Sequence, residues 1–171
     1  MLGFLHRNLR HSFQATKVNA YKTLVLPHLE YCASIWNPHT KEQVKKIEMV
    51  QRRAARFTTN RYRNTSSVTN MLNLLQWESL EDRRTKLQLV ILYKIIHELV
   101  DIPSDAYLSE APARTHRNMY SLTYNHYSTS SDVFKFSFFP RTIPVWNRLP
   151  ATVAEAPSLV SFKRELATLH L

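Results

Sequence analysis

Glycine is almost absent, with one residue, Gly3, in a chain of 171. That scarcity excludes whole classes of site. Dinucleotide fingerprints, Walker phosphate loops and nucleophile elbows each need two or more glycines where backbone passes close to a ligand or turns sharply. Tight type I′ and II′ hairpins, which want positive φ, are disfavoured too, so the expectation shifts toward helices. Cysteine is equally scarce. Cys32 alone rules out an internal disulfide and a cysteine-rich zinc site. Long apolar runs are also missing. The longest, Leu87 to Val100, contains Lys94, His97 and Glu98 and falls short of the ~20 residues of a membrane span. The amino-terminal Met-Leu-Gly-Phe-Leu-His-Arg string has too short an apolar run for a secretory signal. These shortages predict an intracellular chain, in cytoplasm or nucleus, neither secreted nor membrane-spanning. Its length suits one domain, or a domain with a long tail, and is ample for a core.

Acidic residues are the remaining shortage. Asp plus Glu is 13 against 23 for Lys plus Arg, a formal net charge of +10. Such a chain is drawn to polyanions, meaning nucleic acid or anionic membrane. The excess is local. Residues 1–63 hold twelve Lys/Arg and three Asp/Glu, residues 64–105 hold four and six, and residues 106–171 hold seven and four. A general solubility device would be spread more evenly.

What is present reads as helix. Leu2, Leu5 and Leu9 share one side of a first helix that begins without a capping signal, like the end of a longer one. Residues 14–35 carry Val18, Tyr21, Leu24, Val25, Leu29 and Cys32, with a break expected near Leu26 because Pro27 lies inside. Cys32 is expected to be a core residue of that helix. Thr40-x-x-Gln43 after Asn37-Pro38 is a capping-box start for a third helix. At 100° per residue its Val44, Ile47, Val50, Ala54 and Phe57 share one face. Lys41, Lys45, Arg52 and Arg56 form a narrow stripe roughly opposite, bordered by the acid Glu48, over about four turns. Arg53, Arg61 and Arg63 extend the positive surface into the following loop. Such a row can follow a phosphate backbone while the other face stays in a core. An ordinary solvated face is the plainer alternative.

Ser67 is placed to cap a short helix with Val68, Met71, Leu72 and Leu75 inward, and Ser79-x-x-Asp82 a long one to about Val100. From Leu87 on, the long helix is apolar all round, the mark of a central buried helix. Residues 109–131, with Arg114, His116, Arg117 and His126, read as a long loop. Phe134, Phe136 and Phe138 alternate with Lys135 and Ser137, which predicts a strand over 133–139. With Lys135 and Arg141 these rings could stack bases at a sheet edge, although docking on the central helix suits phenylalanine better. A short helix is expected over 142–149, and Ser158 caps a terminal one bearing Leu159, Phe162, Leu166 and Leu169. The fold class expected is mainly α, a helical bundle with a central buried helix, a long loop and a minor β segment. Its parts are basic helices over 1–62, a helical core over 66–105 and a C-terminal segment over 106–171.

No catalytic constellation emerges. His97-Glu98 opens like a zincin helix, but position 101 is Asp, so the second imidazole a metal needs is missing. His6 and His11 are five apart, about 140° around a helix, and would not converge. No carboxylate pair is spaced for two magnesium ions. No metal or other cofactor is implied.

Ordered strings carry the reading further. Leu2-Gly-Phe-Leu-His-Arg-Asn-Leu-Arg10, Ala20-Tyr-Lys-Thr-Leu-Val25, Leu29-Glu-Tyr31 and Trp36-Asn-Pro-His39 are followed by Val50-Gln-Arg-Arg-Ala-Ala-Arg-Phe57, Thr65-Ser-Ser-Val68 and Leu75-Gln-Trp-Glu-Ser-Leu80. Leu92-Tyr-Lys-Ile95, Ser137-Phe-Phe-Pro-Arg-Thr-Ile143, Trp146-Asn-Arg-Leu-Pro150 and Ala156-Pro-Ser-Leu159 close the set. In this order, from residue 2 to about 167, they resemble the C-terminal part of the reverse transcriptase of jockey-like non-LTR retrotransposons. The resemblance implies a region downstream of the polymerase palm, with residues 1–62 as thumb helices that grip a template–primer duplex. The family's aromatic-Ala-Asp-Asp motif, whose aspartates hold magnesium, is not in this sequence. Pro144 departs from the polar or charged residue usual in the family and puts a helix there in doubt. The function expected is a truncated, non-catalytic polymerase fragment that holds RNA–DNA hybrid or duplex through Lys41, Lys45, Arg52, Arg53, Arg56, Arg61 and Arg63. The rival is a domesticated helical interaction module whose basic face meets an acidic protein.

Overall fold

The fold was analysed in a computed structural model, which describes residues 1–63, 65–111 and 122–169. The fold is mainly α. In chain order the helices are α1 (Leu2–Asn8), α2 (Gln14–Leu24), α3 (Leu26–Glu30), α4 (Lys41–Thr59), α5 (Val68–Leu75), α6 (Leu80–Ile96), α7 (Ser104–Tyr107), α8 (Asp132–Lys135), α9 (Phe138–Trp146), α10 (Ala151–Ala154) and α11 (Leu159–Thr168). Among the described residues, β structure amounts to one antiparallel bridge between Glu110 and Tyr124.

The chain divides into two compact units, one of Met1–Cys32 and Asn37–Arg84, the other of Ala33–Trp36 and Thr85–Leu171. Residues 80–84 of α6 fall in the first and 85–96 in the second. In the first unit Leu5, Tyr21, Val25, Ala54 and Phe57 form one buried cluster, and Ala55, Val68 and Met71 another; Trp77 packs against both. Buried Arg84 donates to the Leu29 carbonyl and, at 2.9 Å, to Asn37 Oδ1, tying α6 to the turn after α3. In the second unit Leu89, Leu92, Tyr93 and Ile95 of α6 meet Ile143, Trp146, Phe162 and Leu166. The Tyr93 phenol donates to the Ala156 carbonyl at 2.8 Å.

Helix starts follow the capping residues. Thr40 Oγ1 accepts from Gln43 N, Ser67 Oγ from Asn70 N and Ser79 Oγ from Asp82 N, each satisfying an amide that lacks an intrahelical partner. Ser158 and Ser161 complete a reciprocal capping box. Pro27 does break the second helical segment, at Val25, and then sits in the first turn of α3, where its missing N–H costs nothing.

Helix stops show how a chain with one glycine manages left-handed turns. Asn60, Gln76 and Glu98 all take φ of 53°. Gln76 N and Trp77 N bond back to the Asn73 and Leu72 carbonyls, and Glu98 N and Leu99 N to those of Ile95 and Lys94. Both are Schellman closures, and the second ends α6 at Ile96 rather than near Val100. A Cβ in this region is strained. Glu98→Gly is therefore expected to raise stability by about 0.5–1 kcal/mol, read as a higher urea midpoint; a lower midpoint would contradict this account of the stop.

Three expectations are corrected. Cys32 is not on a helix; α3 ends at Glu30, and Cys32 lies half-buried in a turn at φ 52°. Residues 133–139 are not a strand but span α8 and the start of α9. A strand needs a partner ladder, whereas Ser131 Oγ caps Phe134 N. Phe139, Ile143 and Trp146 then fall at helical spacing toward the core, with Phe138 and Phe139 packed against it. No sheet edge is there for bases to stack on. The helix expected over 142–149 starts earlier, at Phe138, and runs through Pro144. Pro140 occupies the first turn, and Pro144 forgoes only the bond to the Pro140 carbonyl. Of the long loop, residues 112–121, including Arg114, His116 and Arg117, lie outside the described residues, while His126 is exposed.

Candidate nucleic-acid interface

The surface under test is built on α4. Its start is set by Thr40 and its end by Asn60, so nineteen residues present a continuous helix about 28 Å long. Ala54 and Phe57 are buried against Leu5, Tyr21 and Val25, while Ala55 on another side is buried against Val68 and Met71. Two flanks of the helix are thus occupied, and the basic side chains lie on what remains. Lys41, Lys45 and Arg53 are exposed, and Arg52 and Arg56 are half-buried, keeping their stems on the protein. Arg61 and Arg63 follow, exposed, beyond the helix end. Among the described residues none of these seven makes an ion pair, whereas Lys46 pairs with Glu42 and Arg83 with Glu30.

Lys41, Lys45 and Arg52 line an open groove of 620 Å³ with Glu48 and Glu81. The acid bordering the stripe is already engaged, because Glu48 Oε1 accepts from the Glu81 amide at 3.0 Å, at the positive end of α6. Burial nevertheless pushes the Glu48 carboxyl above the usual carboxylate range, against the lowering effect of the Glu81 and Leu80 amides. A raised native value means that the folded chain takes up this proton more readily than the unfolded one. The stability so gained is full below the unfolded pKa and is lost as pH rises through the folded value. Glu48→Gln keeps an acceptor for the amide and removes the desolvated charge. It is expected to be no less stable than wild type at pH 7, and to bind a polyanion more tightly at low salt. Its stability advantage should shrink as pH falls through the carboxylate range; denaturant midpoints across pH check this, and an advantage that grows on acidification contradicts it.

A second cationic hollow, 520 Å³, is lined by His6, Arg10, His11, Phe57, Asn60 and Tyr62. Both histidines face one hollow, which a continuous helix would not allow, because α1 ends at Asn8 and the chain turns before His11. His6 Nε2 is 3.0 Å from the Tyr62 hydroxyl. Beneath lies Lys17, fully buried, its ammonium donating to Asn60 Oδ1 at 2.7 Å and standing 5.3 Å from the Phe57 ring centre. That bond pins the residue whose left-handed backbone ends α4.

Comparison with protein-family models, curated proteins and solved structures finds no match for the chain. The functional reading therefore stands on charge, geometry and the ordered strings. Among the described residues no three His, Cys, Asp or Glu side chains gather as a metal site, and no helix is long and apolar enough to cross a membrane.

The buried polar residues Lys17, Gln51 and Arg84 were not anticipated as such. The phase of Gln51 was a usable signal: on the helical wheel it falls between Val44 and Ile47, within the apolar arc of α4. Lys17 likewise precedes buried Tyr21 by one turn. Nothing in the charge pattern marks Arg84, whose partners are 47 and 55 residues away.

Proposed function

We propose that this chain is a non-catalytic, mainly helical fragment of a non-LTR retrotransposon RNA-directed DNA polymerase. In this reading it binds template–primer nucleic acid through phosphate contacts. Lys41, Lys45, Arg52, Arg53 and Arg56 follow the backbone along α4, with Arg61 and Arg63 continuing beyond it. The observation that carries the reading is the row of cations on α4, free of carboxylate partners, on a helix whose other sides are packed.

The physical argument is counterion release. A row of fixed cations displaces the counterions condensed on a duplex, giving affinity without sequence preference and a steep salt dependence. Arg52 and Arg56, half-buried, give up less side-chain freedom on binding than fully exposed lysines would. The polymerase chemistry of the resembled family needs a metal-holding aspartate pair in an Ala-Asp-Asp string, which this sequence lacks. Binding without catalysis is what the chain's own residues support.

Fluorescence anisotropy with a labelled RNA–DNA hybrid tests this against the protein-interaction rival. Saturable low-salt binding that heparin displaces is the expected result. Failure to bind hybrid or duplex at low salt, together with retention of an acidic protein that heparin cannot displace, would overturn it in favour of the rival.

A further inference from the structure

The cationic hollow at the end of α4 surrounds a point, whereas the stripe along that helix is straight. His6 comes from α1, Arg10 and His11 from the turn that follows it, and Asn60 and Tyr62 from the end of α4 and just beyond. All five are exposed, so an occupant of the hollow can reach them. Phe57 forms part of the wall, its ring centre 5.6 Å from that of His6.

The charge around this hollow has one sign. The three acids of residues 1–63 are engaged elsewhere: Glu30 with Arg83, Glu42 with Lys46 and Glu48 with the Glu81 amide. None of them lines the hollow. Beneath it the Lys17 ammonium is fully buried, beside the Asn60 amide oxygen and the Phe57 ring, and among the described residues it has no carboxylate partner. Buried charges are normally balanced by a paired opposite charge. The carbonyl end of α4 offers only about half an elementary charge against it, and Arg10 adds a second full cation. Lys17 acts across the wall rather than by touch, and an anion in the hollow is what balances the field.

The donors narrow the class of anion. Arg10 offers a planar fork of N–H groups. Asn60 has given its Oδ1 to Lys17 and keeps an amide N–H pair. His6 uses Nε2 toward the Tyr62 hydroxyl, 3.0 Å away, and keeps Nδ1. Burial raises the Tyr62 pKa against the lowering effect of the Arg10 charge, so the phenol stays protonated and the guanidinium's field reaches it. Donors around one point suit a compact group with several terminal oxygens. A phosphate monoester has three, with close to two negative charges at neutral pH. A diester within a strand has fewer of both, and the straight row on α4 already fits it.

We infer that this hollow holds the terminal phosphate of a nucleic-acid strand, with Arg10, His11 and Asn60 as its donors. The inference rests on the nucleic-acid reading for the source of the phosphate and adds to it recognition of a strand end.

The test uses the full chain and two labelled RNA–DNA hybrids that differ only in a 5′-phosphate or a 5′-hydroxyl, compared by fluorescence anisotropy. The phosphorylated hybrid is expected to bind about tenfold more tightly, the worth of one charge-assisted hydrogen bond. Arg10→Gln and His11→Gln should each bring that ratio toward one. Lys22→Gln, which removes an exposed cation outside the hollow, should leave it unchanged. Equal affinity for the two hybrids, or a ratio that Arg10→Gln leaves intact, overturns the proposal. If inorganic phosphate then still shifts the His6 and His11 ring-proton resonances, the hollow serves a free phosphate and not a strand end. These results leave the stripe standing. Conversely, if replacing Lys45, Arg52 and Arg56 leaves hybrid affinity intact while the ratio persists, the stripe fails and the hollow stands. Absence of binding to either hybrid overturns both.

Discussion

Trp146→Ala is expected to cost the second unit about 3–5 kcal/mol, the range for removing a large aromatic from a core. Trp146 is fully buried, and its indole lies 5.8 Å from the Phe162 ring. Its Nε1 donates to the Leu122 carbonyl at 2.8 Å. Truncation would therefore open a void among Leu89, Leu92, Ile143 and Phe162 and also orphan a carbonyl, two separate penalties. Trp146→Phe keeps most of the volume and loses only the donor, so its cost should be much smaller. Urea denaturation followed by far-ultraviolet circular dichroism measures both. A loss below roughly 1 kcal/mol for Trp146→Ala, typical of surface positions, would mean that Trp146 is not at the centre of this core.

The second large effect is on binding. Replacing Lys45, Arg52 and Arg56 together by glutamine is expected to weaken hybrid binding by about two to three orders of magnitude at 0.1 M salt, since each phosphate contact contributes close to one decade there. All three lie on one stripe of α4, away from Ala54, Ala55 and Phe57, which the variant leaves in place. The helix itself should persist, because lysine, arginine and glutamine have similar helix propensities. Unchanged stability with lost affinity is the signature expected. Equal loss for Lys163 and Arg164, exposed on α11, would show that net charge rather than the stripe governs binding.

Much of the architecture was legible because it rests on local rules. The Thr40, Ser67, Ser79 and Ser158 caps announce helix starts through side-chain oxygens placed before apolar periodicity. The all-round apolarity from Leu87 marked the helix that carries Leu89, Leu92, Tyr93 and Ile95 into a core. What was not legible depends on tertiary partners. The phenylalanines of 133–139 alternate like a strand, yet without a neighbouring strand the backbone satisfies its amides in helical turns, and Phe139 packs on the core that contains Ile143. His6 and His11 line one hollow only because the chain turns between them. Of the candidate site, the positions of Lys41, Lys45, Arg52 and Arg56 on one stripe followed from their spacing. That Ala55 is covered by α5, and that Glu48 is held by the amino end of α6, could not be read from spacing, because both depend on elements further along the chain.

The account rests on phosphate contact by the α4 stripe, and the logarithm of hybrid affinity plotted against the logarithm of salt concentration tests it most directly. Seven engaged side chains predict a slope of about −6, and loss of Lys45, Arg52 and Arg56 should bring it to roughly −3.6. A slope near zero, or one that the triple variant leaves unchanged, would contradict it.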